Sequence, residues 1–341
     1  VTSPSYDPNL FSATISNSKW EKLNNDRYKP LINKSISNQY PPGSTIKPFV
    51  AIAALEAGIS ESKTIFCNGK HEIADKSLES GVKTFHCWKK QGHGNVDLNE
   101  AIKVSCDVYF YQIAREIGIN KIAEVCKRFG LGKQVFNEFI EESNGLVPNK
   151  SWKKETLGTS WMVGETLSAG IGQGYFLATA AQLSLALAQL VNGGKKINPH
   201  IVYGNQISSE NDEINLASKR HIKIVQKALD DATNSVNGTS YGSRITGKYK
   251  MGGKTGTSQV RVISSKERED GIIKNKDLPW EMRDHGLFIG YGPIEKPTYS
   301  ISVIVEHGGS GSGSAAPIAS KIMKYIFKSK VNLKRKNLIN V

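Results

Sequence analysis

The sequence predicts an α+β domain in which an antiparallel sheet flanked by helices carries a mostly α-helical insertion, and three observations lead there. β-like runs lie toward both ends of the chain, helical periodicity dominates the middle, and no repeat or low-complexity linker cuts the 341 residues in two. In order, Leu10 to Ile15 reads as a short strand, and Phe49, Val50, Ala53 and Ala54 after Lys47 read as the opening of a buried helix. Ile102 to Ile113, Lys121 to Phe129 and Thr179 to Val191 follow helical spacing, the last closed by Gly193-Gly194. Ile222, Val225, Leu229 and Ala232 mark an amphipathic helix that stops near Gly238. Beyond it, Thr255 to Ile263, His285 to Tyr291 and Tyr299 to Glu306 are β-like runs separated by Gly and Pro turns, and a last helix runs from Ala315 to Phe327. The polar stretch from Ser264 to Asp284 reads as a long loop of the kind that borders functional sites. This pattern divides the chain into an α/β part at about 1–47 and 200–341 and a helical insert at about 48–199.

Apolar residues at 38% and charged residues at 22% exclude a disordered or fibrous chain. The 45 Lys and Arg against 31 Asp and Glu give a net charge of +14, which suits an anionic partner or, since much of it is Lys scattered beside Asn, compositional drift. No apolar run approaches the roughly 20 residues of a membrane helix, because Phe49 to Leu55 ends at Glu56 and Leu183 to Val191 contains Ser184 and Gln189. The start at Val1 without an initiator Met, in a turn-rich segment, predicts a chain excised from a longer protein, with any anchor upstream. Four cysteines in this length do not make a disulfide scaffold.

Pro41-Pro42-Gly43-Ser44-Thr45-Ile46-Lys47-Pro48 is the most informative segment. Serine is a weak nucleophile, and a lysine one helical turn on shares its face and can take its proton when held neutral. The free N–H groups of a helix start lie beside it and suit an oxyanion. Taken alone, the same segment is an ordinary helix entry. Ser105-Cys106-Asp107 precedes Tyr109, Phe110 and Tyr111, and Gly252-Gly253-Lys254-Thr255-Gly256-Thr257 opens a β-like run. The latter is not a phosphate loop, since Lys248 stands where the first glycine belongs and a strand follows rather than a helix. The glycines of Gly308 to Gly313 lack dinucleotide-binding geometry and read as a strand-to-helix loop.

Ser-x-x-Lys, Ser-x-Asp and Lys-Thr-Gly, in this order, are the motifs of serine acyl-transferases that react with penicillin. The chain resembles the transpeptidase domain of class B penicillin-binding proteins of the cell-elongation branch nearly end to end. Ser5-Tyr6-Asp7-Pro8-Asn9, Gln39-Tyr40-Pro41-Pro42-Gly43-Ser44, Trp88-Lys89-Lys90-Gln91-Gly92-His93-Gly94, Gly170-Ile171-Gly172-Gln173-Gly174-Tyr175 and Arg283-Asp284-His285 carry the resemblance beyond the three motifs. One departure is Asp107, where most relatives have Asn.

The resemblance implies a penicillin-binding, serine β-lactamase-like transpeptidase fold and a peptidoglycan D,D-transpeptidase. Ser44 would attack the bond between the last two D-alanines of a stem peptide, with Lys47 as base, Ser105 relaying a proton and Asp107 holding Lys47 and the substrate amide. Asp107 would favour the ammonium form of Lys47, and Lys254 nearby would oppose it. Lys254, Thr255, Gly256 and Thr257 would bind substrate, and the N–H groups of Ser44 and Thr257 would form the oxyanion hole. It further implies β-lactam antibiotics as covalent ligands, a membrane glycosyltransferase and other elongation-complex proteins as partners, no nucleic acid, and a periplasmic domain anchored in the inner membrane. A D,D-carboxypeptidase or β-lactamase, in which water resolves the acyl-enzyme, is the rival within the same chemistry. Glu21-Lys22-Leu23-Asn24 precedes Ser44 and lacks the spacing of a lactamase deacylation motif. A β-lactam sensor or scaffold without activity is the rival from another class.

Cys67, Cys87, His93 and Cys106 are not required by these motifs, and three thiolates with an imidazole suit a tetrahedral structural zinc, although no cofactor is needed for the chemistry. Cys106 is the middle residue of Ser105-Cys106-Asp107, so a metal there would pin that loop. His86 rivals His93, and Cys126 reads as a core residue. A Cys67 to Cys87 disulfide and buried free thiols are the alternatives.

Overall fold

A computed structural model describes the backbone of residues 1–75, 80–136, 139–201 and 212–339. The strand expected at Leu10 to Ile15 is not formed. Pro8–Phe11 is a 3-10 turn whose cap, Asp7, accepts from the Asn9 N–H at 3.0 Å, and α1 (Asn17–Asn24) follows shortly after. An Asp cap with Pro at the first helical position outweighs a short apolar run.

The helical core is built on α2 (Lys47–Glu56), in which Phe49, Val50 and Ile52 are fully buried. Each such side chain contributes about 1.5–3 kcal/mol by leaving water. Packed on it are α3 (Leu98–Lys103), α4 (Asp107–Arg128) and α8 (Lys219–Asn234), with α6 (Val163–Gly170) against α4 and α7 (Ala180–Val191) against α8, while α5 (Lys150–Leu157) is largely exposed. Thr179 and Gln182 close a reciprocal capping box at the start of α7, and the buried Ile222, Val225, Leu229 and Ala232 turn one face of α8 to the core. The helix expected from Ile102 to Ile113 is two helices, because Ser105 between them takes a left-handed φ of 58°.

Two small antiparallel sheets interrupt the helical part. β1 (Ile65–Cys67) pairs with β4 (Gly94–Val96), and β2 (Lys70–Ala74) with β3 (Val82–His86). The main sheet comes from the C-terminal third, β5 (Gly252–Ser258), β6 (His285–Gly292) and β7 (Tyr299–Val305), antiparallel in the order β5-β6-β7. The stretch from Ser264 to Asp284 is more ordered than expected, with α9 (Ser265–Asp270) and 3-10 turns at Asn275–Asp277 and Trp280–Met282. A π-helical turn at Gly311–Ala315 leads into α10 (Ala316–Ile339).

Alternation along β6 explains how the sheet joins two cores. Leu287, Ile289 and Tyr291 lie in the helical core, whereas Phe288 packs with Ala316, Ala319, Met323 and Phe327 of α10. Lys254 pairs with Ile289 across the ladder and so shares its face, toward α2 and α4. Among the described residues, no helix is long and apolar enough to cross a membrane.

Candidate active site

Three chain segments meet at the start of α2. Ser44 lies in the 3-10 turn Gly43–Ile46, half-buried, and Lys47 is the fully buried first residue of the helix. The Lys47 Nζ donates to the Asp107 Oδ1 at 2.7 Å, the Ser105 carbonyl at 2.9 Å and the Ser105 Oγ at 3.3 Å. The left-handed Ser105 is what aims that carbonyl at Lys47, a strained conformation held by the start of α4.

β5 supplies the opposite wall. Gly43 has a φ of 54°, and a side-chain carbon there would collide with the Thr257 carbonyl; one at Gly172 would collide with Gly43 in turn. The Gly43 N–H donates to the Gly172 carbonyl at 2.9 Å, and the Gln173 Nε2 donates to the Thr257 carbonyl at 2.9 Å. The serine turn is thereby wedged between β5 and the turn after α6. Lys254 is fully buried and donates to the Thr255 carbonyl at 3.0 Å, while the Thr255 hydroxyl donates to that of Thr239 at 2.9 Å.

Charge in this site is costly, and the ionisation of Lys254 and Asp107 reflects it. Burial pushes the Lys254 ammonium well below the ordinary lysine value, the positive Lys47 pushes the same way and Asp107 opposes both. Burial raises the Asp107 carboxyl above the usual carboxylate range, with the Lys47 ammonium opposing and the Cys87 sulfur adding to the rise. Burial therefore disfavours the charged form of both Lys254 and Asp107, on either side of the Lys47 ammonium.

Some contacts were not assigned from the sequence. The Trp88 backbone N–H donates to the Asp107 Oδ2 at 2.9 Å, and its indole Nε1 donates to the Ser105 and Val104 carbonyls, each at 3.1 Å. Both oxygens of Asp107 are thus engaged, one by Lys47 and one by Trp88.

Cys67, Cys87, His93 and Cys106 also converge, with their ligand atoms all within 4.8 Å of one another. The His93 Nδ1 lies 3.5 Å from the Cys87 Sγ and 3.7 Å from the Cys67 Sγ. None of the cysteines is disulfide-bonded. Cys106 caps α4 by accepting from the Tyr109 N–H at 3.5 Å, and Cys87 accepts from the Asp107 N–H at 3.4 Å, so the cluster adjoins the carboxylate. His86 is outside it, and Cys126 is fully buried in the apolar core, as its helical setting suggested.

Comparison with known proteins places this geometry. The penicillin binding protein transpeptidase domain family matches residues 1–324. The peptidoglycan D,D-transpeptidase MrdA of Haemophilus influenzae is 37% identical over 340 residues, covering 97% of this chain and 51% of that protein. Penicillin-binding protein 2 of Pseudomonas aeruginosa, in complex with WCK 5153, superimposes with a TM-score of 0.82 at 34% identity, covering 95% of this chain and 69% of that one. Penicillin-binding protein 2 of Helicobacter pylori, in complex with MreC, gives 0.84 at 34% identity, covering 96% and 57%. The chain spans about half the length of the curated relatives it matches. Sharing with them both the fold around α2 and β5 and a match that runs almost to its C-terminus, the chain belongs to the penicillin-binding protein transpeptidase family.

Proposed function

We propose that this chain carries the D,D-transpeptidase activity that cross-links peptidoglycan stem peptides during cell elongation, through an acyl-enzyme on Ser44. The observation that carries the reading is the joint placement of Lys47 against Ser105 and Asp107 and of the Ser44 turn against Thr257. Lys47 serves as the base that takes the Ser44 hydroxyl proton as the oxygen attacks the carbonyl carbon between the terminal D-alanines. The N–H groups of Ser44 and Thr257 hold the oxyanion. The C–N bond then breaks, and Ser105 passes the proton from Lys47 to the departing amine. The amine of a second stem attacks the acyl carbon, its proton returns to the site, and Ser44 leaves as a hydroxyl. Lys254 and Thr255 bind the substrate's terminal carboxylate, and Gly256 lets β5 lie directly against Pro42 and Thr45 of the serine turn.

With two stem peptides present, the protein should release one D-alanine per cross-linked dimer and form a long-lived adduct with a fluorescent penicillin, both read by mass spectrometry. D-alanine release without dimer identifies a carboxypeptidase, rapid penicillin turnover a lactamase, and no adduct a scaffold. The same reading puts the domain in the periplasm at the inner membrane, beside a membrane glycosyltransferase and other elongation proteins. The MreC complex of the Helicobacter pylori neighbour supports such partners. The reading also keeps an α/β part at about 1–47 and 200–341 around a helical insert at about 48–199, supported by the C-terminal position of β5, β6 and β7.

The cysteine cluster fits a structural zinc held by Cys67, Cys87, His93 and Cys106. A tetrahedral zinc places sulfur and nitrogen ligands about 3.6 Å apart, and the two S···N separations are 3.5 and 3.7 Å. When bound, zinc supplies a cross-link and no step of the chemistry. Purified protein should carry about one metal equivalent, as a four-ligand site requires. A strong chelator should lower the melting temperature, because metal affinity enters the folding free energy, and should slow Ser44 acylation by loosening the loop that bears Ser105 and Asp107. Metal analysis with a thiol count in denaturant decides the matter. A metal-free protein with all its thiols reactive rules out zinc, and two missing thiols identify a disulfide.

A further inference from the structure

Arg283-Asp284-His285 takes no part in the chemistry above, yet it lies where the chain leaves β5. Asp284 uses both carboxylate oxygens: Oδ1 accepts from the Val260 backbone N–H at 3.2 Å and Oδ2 from the Asn275 Nδ2 at 3.1 Å. Its backbone is engaged as well, the N–H donating to the Asn275 Oδ1 at 2.8 Å and the carbonyl accepting from the Gly309 N–H at 2.8 Å. One residue therefore joins three segments: the chain leaving β5, the long connection to β6, and the glycine turn after β7.

That third segment lies against β5 itself. A side-chain carbon at Gly311 would meet the carbonyl oxygens of Gly256 and Leu287, so the turn and the strand are in backbone contact. His285, the next residue, pairs with Ser258 in the ladder, and its Nδ1 accepts from the N–H of His307 at 2.9 Å. His307 has a φ of 55° and its own Nδ1 faces the Arg283 carbonyl at 3.0 Å, so the turn is anchored on both sides of Asp284.

The need for such an anchor follows from topology. Among the described residues, β5 has a strand on one side only, and its ladder ends at Ser258. Thr257, whose N–H the transpeptidase reading places in the oxyanion hole, is thus next to the last paired residue of an edge strand, where ladders fray most easily. A carboxylate accepting from a backbone N–H is stronger than a neutral acceptor and holds its donor at a defined distance.

We propose that Asp284 is a positioning residue for the acylation step, tying the exit of β5 to the Asn275 turn and the Gly308 to Ser310 turn so that the Thr257 N–H stays aimed at the oxyanion. The inference rests on the acyl-enzyme reading of Ser44. In the whole chain, Asp284→Ala should lower the maximal acylation rate at saturating penicillin by about tenfold to a hundredfold, the range that a displacement of about 1 Å produces. The half-saturating concentration and the melting temperature should move little. Asp284→Asn, which keeps one acceptor for Val260, should recover part of the loss, and Asn275→Ala should lose less than Asp284→Ala. The double variant should be no worse than Asp284→Ala, because the two residues act as one unit. An unchanged maximal rate in Asp284→Ala, or a loss that matches its unfolded fraction, overturns the proposal. If Asp284→Ala does not fold, wild-type rates in both Asp284→Asn and Asn275→Ala overturn it instead. A wild-type protein inert to penicillin would sink the acyl-enzyme reading rather than this one, which separates the two failures.

Discussion

Ser44→Ala should abolish covalent labelling by a fluorescent penicillin while leaving the melting temperature within the small range typical of half-exposed substitutions. In the acyl-enzyme reading the hydroxyl is the atom that forms the ester, so nothing replaces it. The fold is held instead by neighbours of Ser44, since Thr45 and Ile46 are buried and the Thr45 hydroxyl donates to the Pro42 carbonyl at 2.7 Å. Losses away from buried or paired groups are typically within about 0.5 kcal/mol. Intact mass after penicillin treatment is the direct readout, and an adduct on the Ser44→Ala protein would remove the serine from the mechanism.

Lys47→Ala should do two things that can be separated. Removal of a positioned base should cost acylation about 10²–10⁴-fold. The same change strips Asp107 of the partner at 2.7 Å and leaves a buried carboxylate unpaired, a loss on the order of 3–5 kcal/mol when one half of a buried pair is deleted. Lys47→Met combined with Asp107→Asn should restore much of the stability, because it removes both charges together, and none of the acylation. Urea unfolding gives the first quantity and stopped-flow acylation the second. A double variant that regained acylation would show that the lysine serves only as counter-charge to Asp107.

The parts of this site that could be read from the sequence are those in which the chain itself sets the spacing. Lys47 follows Ser44 by one helical turn, and Ser105 and Asp107 flank one residue, so their relation is local. All four members of the cysteine cluster were legible by type; what the sequence did not show is how they meet, since β2 and β3 lie between Cys67 and Cys87 and the pairing of β1 with β4 brings Cys67 beside His93. Trp88 was hidden for a different reason. It holds Asp107 through a backbone N–H, a group that every residue but proline possesses and that no side chain advertises. The hairpin strands β2 and β3 leave no signal in the sequence because their residues are mostly exposed and show no clean apolar alternation, whereas β6 is buried along nearly its whole length. At Leu10 to Ile15 the apolar run pointed to a strand, and the Asp7-Pro8 cap decided otherwise.

The wedge of Gly43 between Thr257 and Gly172 bears on how this protein could evolve under a drug. An inhibitor that esterifies Ser44 rests on a floor made of backbone atoms, and a change of side chain at Gly43 or Gly172 would push β5 and the serine turn apart, disabling the native reaction along with the inhibition. A side chain at Gly43 or Gly172 should therefore lose acylation by drug and substrate alike. Variants that discriminate between drug and substrate should arise instead at exposed side chains beside the site, such as Trp88, whose indole donates to the Ser105 carbonyl, and should accumulate there in small steps.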